Sequence, residues 1–350
     1  MIIYLGINHP LKHIRGVENV ILAQSMASRS RYSFLIILGD ISLPNVYRWG
    51  RIIVINIKKV WFWPMRLNYI LYKIKTKKSN AIIHSHSYLL SLFSLYKTSI
   101  FTIHDTLPYI MENRNRKKFY WRIIELFVYS RCRLLHFVSK YTFNYAKLSK
   151  LNKSVIKHNT QVKDLYKLSQ NSKHIKKKFK YALIVRSLEE RADLINLFNA
   201  CKLIRDLTSL KFIVVGKGPL MNKLAEHIKV NKIDNVELVG YVDHDTLYGL
   251  YLGCEFTITT AAFGEGFGLP IIESYSFGKE AIASDVCAIP EIIRDKKFLF
   301  NNDSEDIARS ILFMVREKKE NNKIKEFYNK YFSLEKYIKY FDKLYLKISE

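Results

Sequence analysis

The sequence predicts an α/β protein made of two parallel-sheet domains. Short β-branched runs alternate with longer helical patterns from end to end, the pattern of βαβ units. The length of 350 residues suits two domains of roughly 150 to 180 residues each. A polar, lysine-rich stretch over 159–180, with Ser169-Gln-Asn-Ser172 and Lys176-Lys-Lys178, separates two strand-rich blocks as a linker would. Hydrophobic residues make up 49% and charged residues 25%, which excludes a chain too polar to build a core.

In the first block, strands are predicted over Ile2 to Leu5, Phe34 to Leu38, Ile52 to Ile57, Ala81 to His84, Ile100 to Ile103 and Leu134 to Val138. Helices are predicted over Val17 to Ala27, Lys117 to Arg131 and Lys140 to Leu148. In the second block, strands fall at Tyr181 to Val185, Lys211 to Val215, Val236 to Val239, Phe256 to Thr259, Ala281 to Ala283 and Phe298 to Phe300. Helices there run over Asp193 to Leu207, Pro219 to Val230, Thr246 to Gly253, Pro270 to Phe277 and Ser304 to Lys318. After Phe332, apolar residues at 334, 337, 338, 341, 344 and 345 follow helical spacing, with Ser333 as a partial N-cap. The expected division is 1–162, 163–332 and a terminal helix over 333–350.

Met1 to Gly6 lacks a basic leader region and reads as a first strand rather than a signal peptide. The stretch from Ser87 to Ile103 is too short and too polar for a bilayer span. Cys132, Cys201, Cys254 and Cys287 lie far apart, which argues for buried thiols in a reducing, cytoplasmic setting over a disulfide framework or a zinc site.

Charge divides the halves. The chain carries 57 lysines and arginines against 31 acids, a net +26. Residues 1–162 hold 26 of those cations and five acids (Glu18, Asp40, Asp105, Glu112 and Glu125), a net +21; the remainder is +5. One domain therefore faces a polyanion, with nucleic acid, an anionic membrane and a phosphorylated substrate as the candidates. Lys58-Lys-Val-Trp61-Phe-Trp63-Pro-Met-Arg66 and Arg114-Asn-Arg-Lys-Lys118-Phe-Tyr-Trp121-Arg122 mix aromatics with cations as a headgroup boundary requires.

The most informative segment is Gly264-Glu265-Gly266-Phe267-Gly268-Leu269-Pro270, with Glu273 three residues beyond it. Three glycines in five residues let backbone approach a ligand, and Pro270 suits a helix start whose free N–H groups favour an anion. Two carboxylates eight residues apart occupy different surroundings, one on the loop and one inside the helix. Asp243-His-Asp245 superficially resembles a metal motif, but Asp and Thr there open a helix, so no metal is assigned.

Together these residues resemble the retaining, nucleotide-sugar-dependent glycosyltransferases of the GT-B fold, in particular their glycosyl transferases group 1 domain. Lys211-Phe-Ile-Val-Val-Gly216-Lys-Gly218-Pro, Val236-Glu-Leu-Val-Gly240, Ala288-Ile-Pro290-Glu291 and Asp303-Ser-Glu-Asp-Ile-Ala308 fall in that family's order. The resemblance implies two Rossmann-like domains facing a cleft, with the terminal helix crossing back to the first. It implies that Glu273 binds ribose hydroxyls, that Glu265 and the backbone of Gly266, Phe267 and Gly268 hold the donor sugar, and that Leu269 contributes a backbone N–H to the phosphates. Arg186 matches the family's diphosphate-binding arginine. The usual lysine a few residues on is missing, and Arg191 is the best substitute; Val185 stands where a glycine is usual.

In the first half the resemblance is looser. Arg15-Gly16-Val17-Glu18 resembles a G-G-x-E turn, leaving Gly16 as a phosphate contact. His84, His86 and His104 follow strands, where α/β sites gather. The family places a histidine near the transferred sugar, which makes His104 the catalytic-site candidate beside Glu265, with a structural role for His86. The expected activity is metal-independent transfer of a hexose, with retention, from a nucleoside-diphosphate sugar substrate to a saccharide acceptor held on lipid, without a cofactor. The expected setting is polysaccharide assembly of the O-antigen, lipopolysaccharide or capsule kind, by a cytoplasmic protein held peripherally on an anionic membrane and not on nucleic acid. The alternatives are another GT-B activity, such as epimerisation, or a non-catalytic nucleic-acid or membrane-binding protein.

Overall fold

A computed structural model describes residues 1–7, 16–28, 32–39, 42–105, 118–146, 153–160, 178–318 and 320–350. Arg15, the basic run over 114–117, Thr106 to Pro108 and most of the lysine-rich linker lie outside the described residues. The chain divides into two compact units, Met1–Val162 with Ser333–Glu350, and Lys163–Phe332.

In unit 1 the described elements run β1 (Ile2–Leu5), α1 (Gly16–Met26), β2 (Ser33–Gly39), β3 (Val46–Trp49), β4 (Ile52–Lys58), α2 (Trp63–Lys77), β5 (Ile82–Ser85), α3 (Tyr88–Phe93), β6 (Thr98–Ile103), α4 (Lys118–Ser130), β7 (Cys132–Phe137), α5 (Lys140–Ala146) and β8 (Lys153–Ile156). The sheet order is β3-β4-β2-β1-β5-β6-β7-β8, parallel throughout except for the antiparallel edge strand β3. The period of two along β1 divides its core. Ile2 and Tyr4 join Ile21 of α1 and Tyr337 and Phe341 of the terminal helix, while Ile3 and Leu5 join Leu67 and Leu71 of α2. Tyr129 and Val128 of α4 pack with Phe101 and Leu135 of the sheet.

Unit 2 runs β9 (Tyr181–Val185), α6 (Leu194–Leu203), β10 (Lys211–Val215), α7 (Met221–Val230), β11 (Val236–Gly240), α8 (His244–Gly253), β12 (Thr257–Thr259), α9 (Leu269–Ser276), β13 (Ala281–Ser284), β14 (Leu299–Phe300), α10 (Ser304–Arg316) and α11 (Asn321–Tyr331). Its sheet, β11-β10-β9-β12-β13-β14, is parallel throughout. The last helix, α12 (Leu334–Ser349), belongs to unit 1. It is tied there by buried bonds from Tyr345 to Tyr4 and from Gln24 to Tyr337.

Several elements differ from the sequence expectation. Strands β3 and β8 are edge strands of only four residues, interrupted by Arg48 in the first and opened by Lys153-Ser154 in the second, too short to read as a buried apolar run. Helix α2 covers the end of the aromatic, basic stretch; Pro64 sits at its start and Leu67 and Leu71 form its buried side, but outward aromatics mask the helical period. The weakly charged stretch after Ser87 contains α3, capped by the Ser87 hydroxyl accepting from Leu90 N–H. Ser333 stands at the cap of α12 in extended conformation, but its side chain makes no capping bond.

Candidate functional site

The carboxyl ends of β9, β10 and β12 in unit 2 gather most of the predicted site. Arg186 follows β9, and its N–H bonds the Val215 carbonyl at 3.0 Å. The loop after β10 presses on it so closely that a Cβ on Gly216 would lie 1.8 Å from the Arg186 carbonyl oxygen, with φ at +150°. A Cβ on Gly218 would stand 2.3 Å from the Leu188 oxygen. These two glycines therefore serve first to seat the arginine loop against its neighbour. Leu188 N–H to Lys217 O and Leu220 N–H to Leu188 O complete that seam.

Arg186 Nη1 donates to Glu265 Oε2 at 2.6 Å, and the two side chains are 7% and 14% exposed. The other oxygen, Oε1, accepts the Gly268 N–H at 2.9 Å. Gly268 holds φ at +94°, a left-handed conformation that suits glycine, directly before α9. Burial alone would raise the Glu265 carboxyl; the bonded Arg186, the charge of Arg191 and the Gly268 N–H together hold it below the usual carboxylate range. Arg186 Nε is buried and makes no hydrogen bond. Arg191 lies in a 3₁₀ turn over Glu190–Ala192, and its Nε donates to Glu189 at 3.1 Å. Its carbonyl accepts from Ala262 N–H, which fixes the turn against the glycine loop.

Glu273 lies in the second turn of α9, half-buried, with Oε2 accepting the Tyr251 hydroxyl at 2.8 Å. Tyr251 comes from α8 and stacks on Phe277 with centroids 4.9 Å apart. Burial and the Glu273 charge push its hydroxyl well above the ordinary value, so it remains a donor. Tyr251 is absent from the sequence expectation, since only the fold brings α8 beside α9. Phe267 turns its ring into the core beside Phe332, leaving its backbone for the site, while Gly266 is buried and Leu269 opens α9. Asp243 caps α8 by accepting from Thr246 N–H, two residues before the expected Asp245.

In unit 1 the ends of β5 and β6 carry a different cluster. His86 Nδ1 and His104 Nε2 lie 2.7 Å apart, and His86 Nε2 is buried without a partner. His84 stacks on His86 at 4.7 Å and is bonded to Tyr345 and Thr102; His136 bonds the same Thr102. Burial lowers all four imidazoles, His104 to about 3 and His136 to about 4. His86, read from the sequence as structural, is the direct partner of His104. Gly16 is the first residue of α1.

Comparison with known proteins decides the family. Residues 167–330 match the family described as glycosyl transferases group 1. This unit belongs to the glycosyl transferases group 1 family. The chain is also similar to the O-antigen chain mannosyltransferase B of Escherichia coli, 29% identical over 139 residues, which are 38% of this chain. The chain thereby spans only 36% of that relative's length. Among solved structures, sucrose-phosphate synthase from Thermosynechococcus elongatus superposes with a TM-score of 0.77 at 14% identity, covering 99% of this chain and 98% of that one. The Anabaena protein HepE, in complex with UDP and glucose, gives 0.73 at 13%, covering 98% of both chains. At such identities the likeness establishes the architecture, an α/β GT-B fold.

Proposed function

We propose that this group 1 glycosyltransferase moves a hexose from a nucleoside-diphosphate sugar to a saccharide acceptor, with retention at the anomeric carbon. The observation that carries this reading is the Arg186–Glu265–Gly268 assembly before α9, in which a buried guanidinium keeps an unbonded Nε–H. In the proposed reaction the bond from the anomeric carbon to the phosphate oxygen breaks and a bond to the acceptor hydroxyl oxygen forms. The acceptor's proton passes to the departing diphosphate, and Arg186, with Arg191, stabilises the charge that grows there. Leu269 and the start of α9 add backbone N–H groups and the helix dipole.

Both oxygens of Glu265 are engaged, which supports a role in holding Arg186 and the sugar-side loop rather than attack on carbon. Glu273, oriented by Tyr251, takes the ribose hydroxyls. Gly16 is assigned to the phosphates by the family resemblance, and His104, held neutral and paired with His86, to the sugar and its acceptor. No step is assigned to a metal or cofactor. An acceptor carried on a phosphorylated lipid suits the +21 of residues 1–162, and with it a place in surface polysaccharide assembly on the inner membrane face.

Incubation with UDP-, GDP-, ADP- and dTDP-sugars, with and without membrane extract, tests this directly. Release of one nucleoside diphosphate, lost in Glu273→Ala, supports it, and an anomeric coupling constant in the product that matches the donor supports retention. Absence of binding and turnover with every donor would reject transfer.

A further inference from the structure

Helices normally turn polar residues outward, but three neighbouring helices of unit 1 carry a second apolar stripe on the solvent side. On α2, Leu67 and Leu71 are buried, while Met65, Tyr69 and Tyr72, at i, i+4 and i+7, stand outward; Met65 is 74% exposed and Trp61, just before the helix, 97%. On α4, Tyr120, Ile123 and Phe127, at i, i+3 and i+7, also stand outward. Phe93 of α3 and Leu95 beyond it, 80% exposed, fill the space between. The three form one surface. Trp63 meets Phe93 edge-on at 5.0 Å, Asn68 bonds both Phe93 O and Leu95 N–H, and Arg131, after α4, bonds Ser94 O.

The charges on this surface have one sign. Between residues 41 and 104 stand ten lysines and arginines and no acid. The one acid of α4, Glu125, is buried against Arg122 and Tyr129. Three outward rings carry a cation one turn on, Phe62 with Arg66, Tyr69 with Lys73 and Phe127 with Arg131, at 5.4 to 5.8 Å. Protein interfaces are depleted in lysine. Exposed rings interleaved with cations and without acids match the headgroup boundary of an anionic bilayer, where aromatics seat at the interface and lysine and arginine pair with lipid phosphates. Among the described residues no helix is long and apolar enough to cross a membrane, so the contact lies in the plane of the surface.

We propose that the α2–α3–α4 face docks on an anionic lipid bilayer, with Trp61, Met65, Tyr69 and Leu95 seated at the headgroup boundary. This deepens the preceding reading of a membrane-held acceptor and rests on it for its purpose, since it names the surface from which such an acceptor would be reached. The full chain is floated with phosphatidylcholine vesicles and with phosphatidylcholine–phosphatidylglycerol vesicles. Binding to the anionic vesicles is expected, with Trp61 fluorescence quenched by brominated acyl chains. Met65→Glu with Tyr69→Glu should lower it by about tenfold or more, since two anchors are lost and two like charges added; Leu203→Glu with Leu207→Glu in unit 2 should leave it unchanged. The Met65/Tyr69 pair is solvent-exposed, and an unaltered melting temperature confirms that its fold is intact. No anionic-vesicle binding, binding indifferent to that pair, or a self-association that the pair abolishes while vesicle binding persists, overturns the proposal. Donor hydrolysis measured in the same samples without vesicles separates the two readings: flotation without donor turnover sinks glycosyl transfer and leaves the docking face standing.

Discussion

The carboxyl ends of the two sheets solve the burial of polar groups in opposite ways. In unit 2 a carboxylate and a guanidinium are taken out of water as a bonded pair, Glu265 with Arg186, and the low folded value of Glu265 keeps that charge in place. On β5 and β6 of unit 1 the clustered buried groups are imidazoles that remain neutral, His84 beside the Tyr345 phenol and His86 with His104. A paired charge suits a ligand that itself carries charge, such as a diphosphate; neutral donors and acceptors suit hydroxyls. The difference also sets how each unit should fail.

The largest expected effect is of acid on unit 1. An imidazole held neutral in the fold costs nothing above the ordinary value near 6.5, but below it the unfolded chain gains protons that the fold refuses. Each such histidine then removes about 1.4 kcal/mol per pH unit until its lowered folded value is reached. His84, His86 and His136 are fully buried, and unit 2 has no fully buried histidine among its described residues. Calorimetry from pH 7 to 4.5 should therefore show the unit 1 transition falling well ahead of that of unit 2; equal shifts would remove the contrast. Next in size is Arg186→Ala, which strands the Glu265 carboxylate and should destabilise unit 2 by about 3–5 kcal/mol in denaturant titration, with donor turnover down roughly 100- to 1,000-fold. Gly216→Ala places a methyl against the Arg186 carbonyl. It should lower turnover through the displaced arginine while the unit 1 transition stays in place. Smallest is Tyr251→Phe, which removes one hydrogen bond to Glu273 and should weaken nucleotide binding by about 1 kcal/mol.

The same contrast explains what the sequence discloses. Strands β9 and β10 of unit 2 are short, almost wholly buried apolar runs, so their positions are legible, and the glycine loop, Pro270 and Glu273 stand together in one stretch. The pairing of Arg186 with Glu265 spans 79 residues and follows from strand order, which composition does not encode. Gly216 and Gly218 are visible as a motif, but their reason, the crowding on Arg186 and Leu188, is visible only in three dimensions. In unit 1, α2 is hidden because Met65, Tyr69 and Tyr72 stand among the cations of its outward side, the feature that marks it as a docking face. His86 shows the same limit: two histidines on adjacent strand ends read as separate until the register of β5 with β6 brings them together.

The central claim is that the Arg186–Glu265–Glu273 site of unit 2 holds a nucleoside diphosphate. Isothermal titration of the full chain with UDP, GDP, ADP and dTDP, repeated on Arg186→Ala and Glu273→Ala, tests it most directly. One nucleotide should bind at one per chain, and each substitution should weaken it by about tenfold or more. Binding that is absent for all four, or that survives both substitutions undiminished, would contradict the account.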